Sequence, residues 1–97
     1  RVSLSPAPNH EATSLEVTTP DRPGLLALLG KVFVEVSISL ISAKITTLGE
    51  RVEDVFYITD QNGSPITDPA SIAHISDRIC ETIDQHVEQV EVNYNEQ

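Results

Sequence analysis

Apolar residues recur along this chain with two periods, and each change of period marks a change of element. Val2 and Leu4 alternate with polar neighbours until Pro6 and Pro8, which predicts a short strand. Leu15 and Val17 alternate with Ser14 and Glu16, the pattern of a strand with one face on a core. The period then lengthens. Leu25, Leu28, Leu29, Val32, Phe33 and Val36 stand at helical spacing, which predicts a helix from about Pro23 to about Val36. Pro23 suits a first helical turn, where a missing N–H costs nothing, and puts Asp21 or Arg22 at the cap.

From Ile38 to Leu48 the period returns to two. Ile41, Ala43 and Ile45 fall on one face, with Leu40, Lys44 and Thr46 on the other. Gly49-Glu50 reads as a turn, and Val52, Phe56 and Ile58 line one face of a further strand ending near Asp60. Asn62-Gly63 and Pro65 mark a loop. Asp68-Pro69 opens a second helix with Ile72, Ile75, Ile79 and Ile83 as its stripe. Its end reads two ways. Val87 and Val90 continue the stripe, whereas Val90, Val92 and Tyr94 alternate like a strand.

The order is therefore β-α-β-β-α, with an edge strand supplied by residues 2–5 or by residues 90–94. Two one-sided helices over such strands predict a ferredoxin-like α+β sandwich, an antiparallel sheet with both helices on one face. The helix between the first two long strands implies a right-handed crossover.

Composition narrows the function. Ninety-seven residues make one domain. Fifteen acids against six bases give a net charge of −9, which disfavours nucleic acid and anionic membranes as partners. The single cysteine, Cys80, allows no internal disulfide and fits a reducing compartment. No apolar run approaches the roughly 20 residues that cross a bilayer. The chain starts at Arg1 and holds no methionine, so it reads as a piece of a longer protein.

The junction at Asp21-Arg22-Pro23-Gly24-Leu25-Leu26 carries the most chemistry. A helix start offers N–H groups and the positive end of a dipole to a carboxylate, and an aspartate beside it suits an ammonium. The plain alternative is a capped helix that binds nothing. Gly30 reads as a close approach, either to a second helix at an interface or to its own sheet. Glu50, Arg51, Glu53 and Asp54 read as a charged edge that discourages aggregation, or as a contact with other domains. His10, His74 and His86 lack metal-ligand spacing, and Cys80 reads as a small buried hydrophobe.

The same junction, followed by Ile38-Ser39-Leu40-Ile41, resembles the ACT domain, a small regulatory module that commonly binds amino acids. The segment from Ile45 through Gly49-Glu50-Arg51-Val52-Glu53-Asp54-Val55-Phe56-Tyr57 to Asp60, Gly63 and Asp68-Pro69 resembles the last ACT domain of the bacterial PII uridylyltransferase family. The resemblance covers roughly Thr13 to Ile83. It implies an extension over 1–12 whose Val2 to Ser5 is expected to fill the sheet edge, an ACT domain over 13–86, and a tail or extra strand over 87–97 in which Val90 to Tyr94 competes for that edge. It further implies a cytoplasmic parent with a nucleotidyltransferase domain, a hydrolase domain, magnesium and two ACT domains. Such a parent adds UMP to the PII signal protein and removes it, with glutamine as the signal.

No nucleotidyltransferase or His-Asp metal motif stands in this chain, so the resemblance implies neither catalysis nor a cofactor for it. The ligand residues it implies are Asp21 and Arg22, Gly24, Leu25 and Leu26 through their N–H groups, and Ser39 with Ile41 against the ligand side chain. Ser39 departs from the asparagine common in amino-acid-binding members. The implied partners are the neighbouring ACT and catalytic domains and a second copy paired edge to edge. The alternative is an interaction module that binds no metabolite. A catalyst of acylphosphatase type is a poor fit, since Pro23-Gly24-Leu25 after Arg22 makes no phosphate cradle.

Overall fold

The computed structural model describes residues 2–20 and 24–95, of which 20, 47, 48 and 86–95 are described as backbone alone. Six elements follow in order: β1 (Val2–Pro6), β2 (Thr13–Pro20), α1 (Leu25–Glu35), β3 (Ile38–Leu48), β4 (Arg51–Asp60) and α2 (Pro69–Asn95). The strands form one antiparallel sheet in the order β1-β2-β4-β3, and both helices lie over the same face.

The edge beside β2 belongs to β1. Val2 stands opposite Val17 and Leu4 opposite Leu15, so its alternation matches the strand it joins. Residues 90–94 are helical instead, and the expected tail or strand over 87–95 is corrected to a continuation of α2. The reason is visible in the spacing. From Ile83 through Val87, Val90 and Tyr94 the apolar positions recur at three and four, with no glycine or proline to turn the chain back. Residues 96 and 97 lie outside the described part.

The core lies between sheet and helices. Leu15 and Val17 of β2 meet Phe56 and Ile58 of β4, with Leu25, Leu29, Val32 and Phe33 of α1 and Ile75 and Ile79 of α2 above them. Phe33 and Phe56 pack edge to face at 5.3 Å, the geometry ring quadrupoles prefer. Ile66 closes one end. Its N–H donates to Thr13 Oγ1 at 2.8 Å, and that hydroxyl donates back to the Ile66 carbonyl at 3.0 Å.

Two details depart from the sequence pattern. Leu40 pairs with Ile58 while Ser42 pairs with Tyr57, so Ile41 is an extra residue, a β-bulge. Leu40 therefore shares the helix-facing side with Ala43 and Ile45, and Ile41 does not. Strict alternation cannot reveal an inserted residue, since one extra position exchanges the faces beyond it. Cys80 is exposed rather than buried, because Ile79 and Ile83 take the inward positions beside it. Gly30 is exposed as well. A methyl group there would meet nothing within 4 Å, so neither the sheet nor α2 requires a glycine.

Candidate functional site

α1 starts at Leu25, two residues later than its proline suggests. Its cap is Gly24, at φ 77° in the left-handed region, and the cap makes no side-chain hydrogen bond. Glycine is the residue that adopts this backbone at no cost. Leu28 N–H donates to the Gly24 carbonyl at 3.2 Å and is the first helical bond. The N–H groups of Leu25, Leu26 and Ala27 precede it, and helical geometry gives them no partner inside the helix. Gly24 and Leu26 are exposed, whereas the Leu25 side chain is buried and fixes the turn to the core. The first turn of α1 itself holds no acidic residue. Asp21, Arg22 and Pro23 lie outside the described residues.

The other two predicted residues stand elsewhere. α1 runs back over the sheet, and β3 begins at its far end, where Ile38 pairs with Asp60. An 11-residue helix is about 16 Å long and β3 begins at its far end, so Ser39 stands about a helix length from Gly24 along the sheet, with Ile41 two residues nearer. Ser39 pairs with Thr59, on the face away from the helices. Ile41 lines a cleft of about 800 Å³ on that face, with Pro8, Glu11, Ser42, Tyr57 and Pro65. One copy of this domain thus brings Gly24, Leu25 and Leu26 together and holds Ser39 and Ile41 apart from them.

The reading of the hairpin acids is also divided. Glu50, Arg51 and Glu53 are exposed, as an edge of charges would be, but Asp54 is 1% exposed. It stands opposite Val17 and Ile45 on the helix-facing side. The signal was available in the chain: Asp54 has the parity of Val52, Phe56 and Ile58. Among the described residues no group of three His, Cys, Asp or Glu side chains could hold a metal ion. Among them also, no helix is long and apolar enough to cross a membrane.

An antiparallel sheet of this order with two helices on one face is the ferredoxin-like α+β arrangement of the ACT class of small regulatory modules. The chain belongs to that family: the model described as the ACR family N-terminal ACT domain matches residues 8–86. Its curated relatives are bifunctional uridylyltransferase/uridylyl-removing enzymes. The one from Ectopseudomonas mendocina strain ymp is 46% identical over 85 residues, which are 88% of this chain and 10% of that protein. The one from Pseudomonas fluorescens strain Pf-5 is 55% identical over 71 residues, 73% of this chain and 8% of that protein. The one from Pseudomonas savastanoi pv. phaseolicola strain 1448A is 48% identical over 83 residues, 86% and 9% respectively. The chain thus spans at most about a tenth of these relatives. No solved structure matches it.

Proposed function

We propose that this domain senses a free amino acid, L-glutamine, and regulates a cytoplasmic enzyme that adds UMP to a PII-type signal protein and removes it. The observation that carries the reading is the start of α1. In a family of regulatory modules, this helix begins with a left-handed glycine, which has no capping side chain of its own, and a run of backbone donors. The ligand carboxylate accepts from Gly24, Leu25 and Leu26, and Asp21 with Arg22 attends the ammonium end. The catalysis, its magnesium and the PII partner belong to other domains of the parent.

The distance between the two halves of the predicted site sets the stoichiometry. With Ser39 about a helix length from Gly24 in one copy and Ile41 on the face of the sheet away from the helices, a ligand touching both halves would need two modules, with the start of α1 from one and the start of β3 from the other. Occupancy then favours one arrangement of modules over another, which is how a small ligand regulates distant catalysis.

The second reading, an interaction module that binds no metabolite, draws on exposed apolar groups. Leu40, Ile41 and Ile45 are 49–61% exposed along the edge strand β3. Calorimetric titration with L-glutamine separates the readings, with L-glutamate, L-serine and D-glutamine as controls and gel filtration alongside. Saturable binding selective for L-glutamine, weakened by Asp21→Ala, supports the sensor. Self-association with no heat and no thermal stabilisation at millimolar ligand supports the interaction module.

A further inference from the structure

The cleft at the start of β3 has chemistry that the reading above does not use. Its floor is the Ser42–Tyr57 pair on the face of the sheet away from the helices, with Ile41 at its rim. Two hydrogen-bonded loops form its walls. In one, Ala7 N–H donates to the Ala12 carbonyl at 3.1 Å and Glu11 N–H to Asn9 Oδ1 at 3.0 Å, so the turn itself sets Glu11 at the cleft. In the other, Asp60 Oδ1 accepts from the N–H groups of Asn62 and Ser64 at 2.9 Å, which holds Gly63 and Ser64 at the opposite wall. The volume of about 800 Å³ is that of a small-molecule cleft.

The lining sorts ligands by charge. Among the described residues that form it, Glu11 is the one charge, and no lysine, arginine or histidine stands with it. The chain as a whole carries −9. A carboxylate entering the cleft would lose water, find no cation and meet a like charge. The hydroxyls of Ser42 and Tyr57 donate as well as accept, whereas the Glu11 carboxylate only accepts. A primary amide matches that set: its carbonyl takes a hydroxyl proton and its NH2 group donates to the carboxylate.

We propose that this cleft is a primary-amide site, with Glu11 and Tyr57 as its specificity-determining residues. One consequence rests on the amino-acid reading above. Ile41, expected against the ligand side chain, brings the far end of that side chain to the cleft, where glutamine is admitted and glutamate refused.

The test uses this chain with two probes of one shape, propionamide and propionate, followed through backbone amide signals in NMR spectra at matched ionic strength. Propionamide should shift Ser42, Tyr57 and Gly63 saturably and leave Leu29 and Ile79 in the core unmoved. Propionate should shift none of them at the same concentration. Absence of shifts with propionamide, or equal shifts with propionate, overturns the proposal. Glu11→Gln keeps the size and removes the charge, and should narrow the preference for propionamide by about tenfold. Tyr57→Phe keeps the ring and should weaken propionamide about fivefold, the loss of one hydrogen bond. An unaltered preference in Glu11→Gln overturns the proposal as well. L-glutamine and L-glutamate are titrated beside the probes. If propionamide binds and L-glutamine does not, the sensor reading falls and the amide site stands. If L-glutamine binds and Glu11→Gln keeps its full preference over L-glutamate, the sensor stands and the site assigned here falls.

Discussion

Asp21-Arg22-Pro23 and Asp68-Pro69 look like two versions of one helix start, yet among the described residues a side-chain cap is seen only at the second, while the first leads to a glycine at the cap position. At α2, Asp68 Oδ2 accepts from the Ser71 N–H at 3.3 Å and from its hydroxyl at 3.0 Å, and the Asp68 carbonyl takes the first helical bond. That start satisfies itself. At α1 the cap position falls to Gly24, which has no side chain to make such a bond. The difference teaches that an aspartate–proline pair predicts a helix start but not its closure. A glycine cap sets no side chain of its own against a ligand for the first N–H donors, whereas at α2 the Asp68 carboxylate takes one of them.

The largest test asks whether the two helices are equal apart from their starts. Leu29 of α1 and Ile79 of α2 are both fully buried in the shared core. Leu29→Ala and Ile79→Ala should each destabilise by about 2–5 kcal/mol in urea unfolding. A small loss for one of them would show that its helix is loosely seated, and the comparison of starts would lose its footing.

The next test acts on the starts themselves. Asp68→Ala removes a side-chain cap and should cost about 1 kcal/mol of stability with no change in ligand affinity. Gly24→Ala forces an L side chain into the left-handed region at φ 77° and should cost about 1–2 kcal/mol. It should also weaken L-glutamine binding, since the donor turn must distort. Equal ligand effects from both variants would erase the contrast.

A smaller effect is expected within α1. Gly30 sits exposed in mid-helix with open space around it, so Gly30→Ala should raise stability by up to about 1 kcal/mol. A loss instead would place a neighbouring module against that face.

The smallest effect lies where the helices are tied together. Arg78 of α2 forks onto Glu35 of α1, Nε to Oε2 at 2.5 Å and Nη2 to Oε1 at 3.0 Å, while Nη1 reaches Glu81 at 2.6 Å. The guanidinium hydrogen bond holds the Glu35 carboxyl below its ordinary range. A lowered folded value means that this contribution is present above the unfolded value and is lost as pH falls through the folded one. The urea midpoint should therefore drop on acidification below the ordinary glutamate range, and drop less in Glu35→Gln. Exposure and salt keep the effect slight.

Periodicity and turn chemistry are local, and they determined most of the architecture from sequence. The alternations of β2 and β4, the stripes of α1 and α2 and the Gly49-Glu50 turn each depend on residues a few positions apart. The resemblance to the ACT domain also rested on contiguous stretches, and the family match confirms it over residues 8–86. What the sequence left open depended on partners distant in the chain. By pattern residues 90–94 compete with the expected residues 2–5 for the edge, and the expectation for 2–5 holds. The choice fell to β1 because its side chains meet Leu15 and Val17 across the strand, while 90–94 follow a helix with nothing to stop it.

The bulge at Ile41 was invisible because its evidence is the register with β4, not the spacing within β3. Tertiary structure likewise decided that Asp54 is buried while its neighbour Glu53 is not, since only the packing of a helix on one face of the sheet distinguishes the two sides. It also set Ser39 about a helix length from Gly24 and Ile41 on the face of the sheet away from the helices. Residues 39 and 24 are close in sequence, but a straight helix between them holds their elements apart.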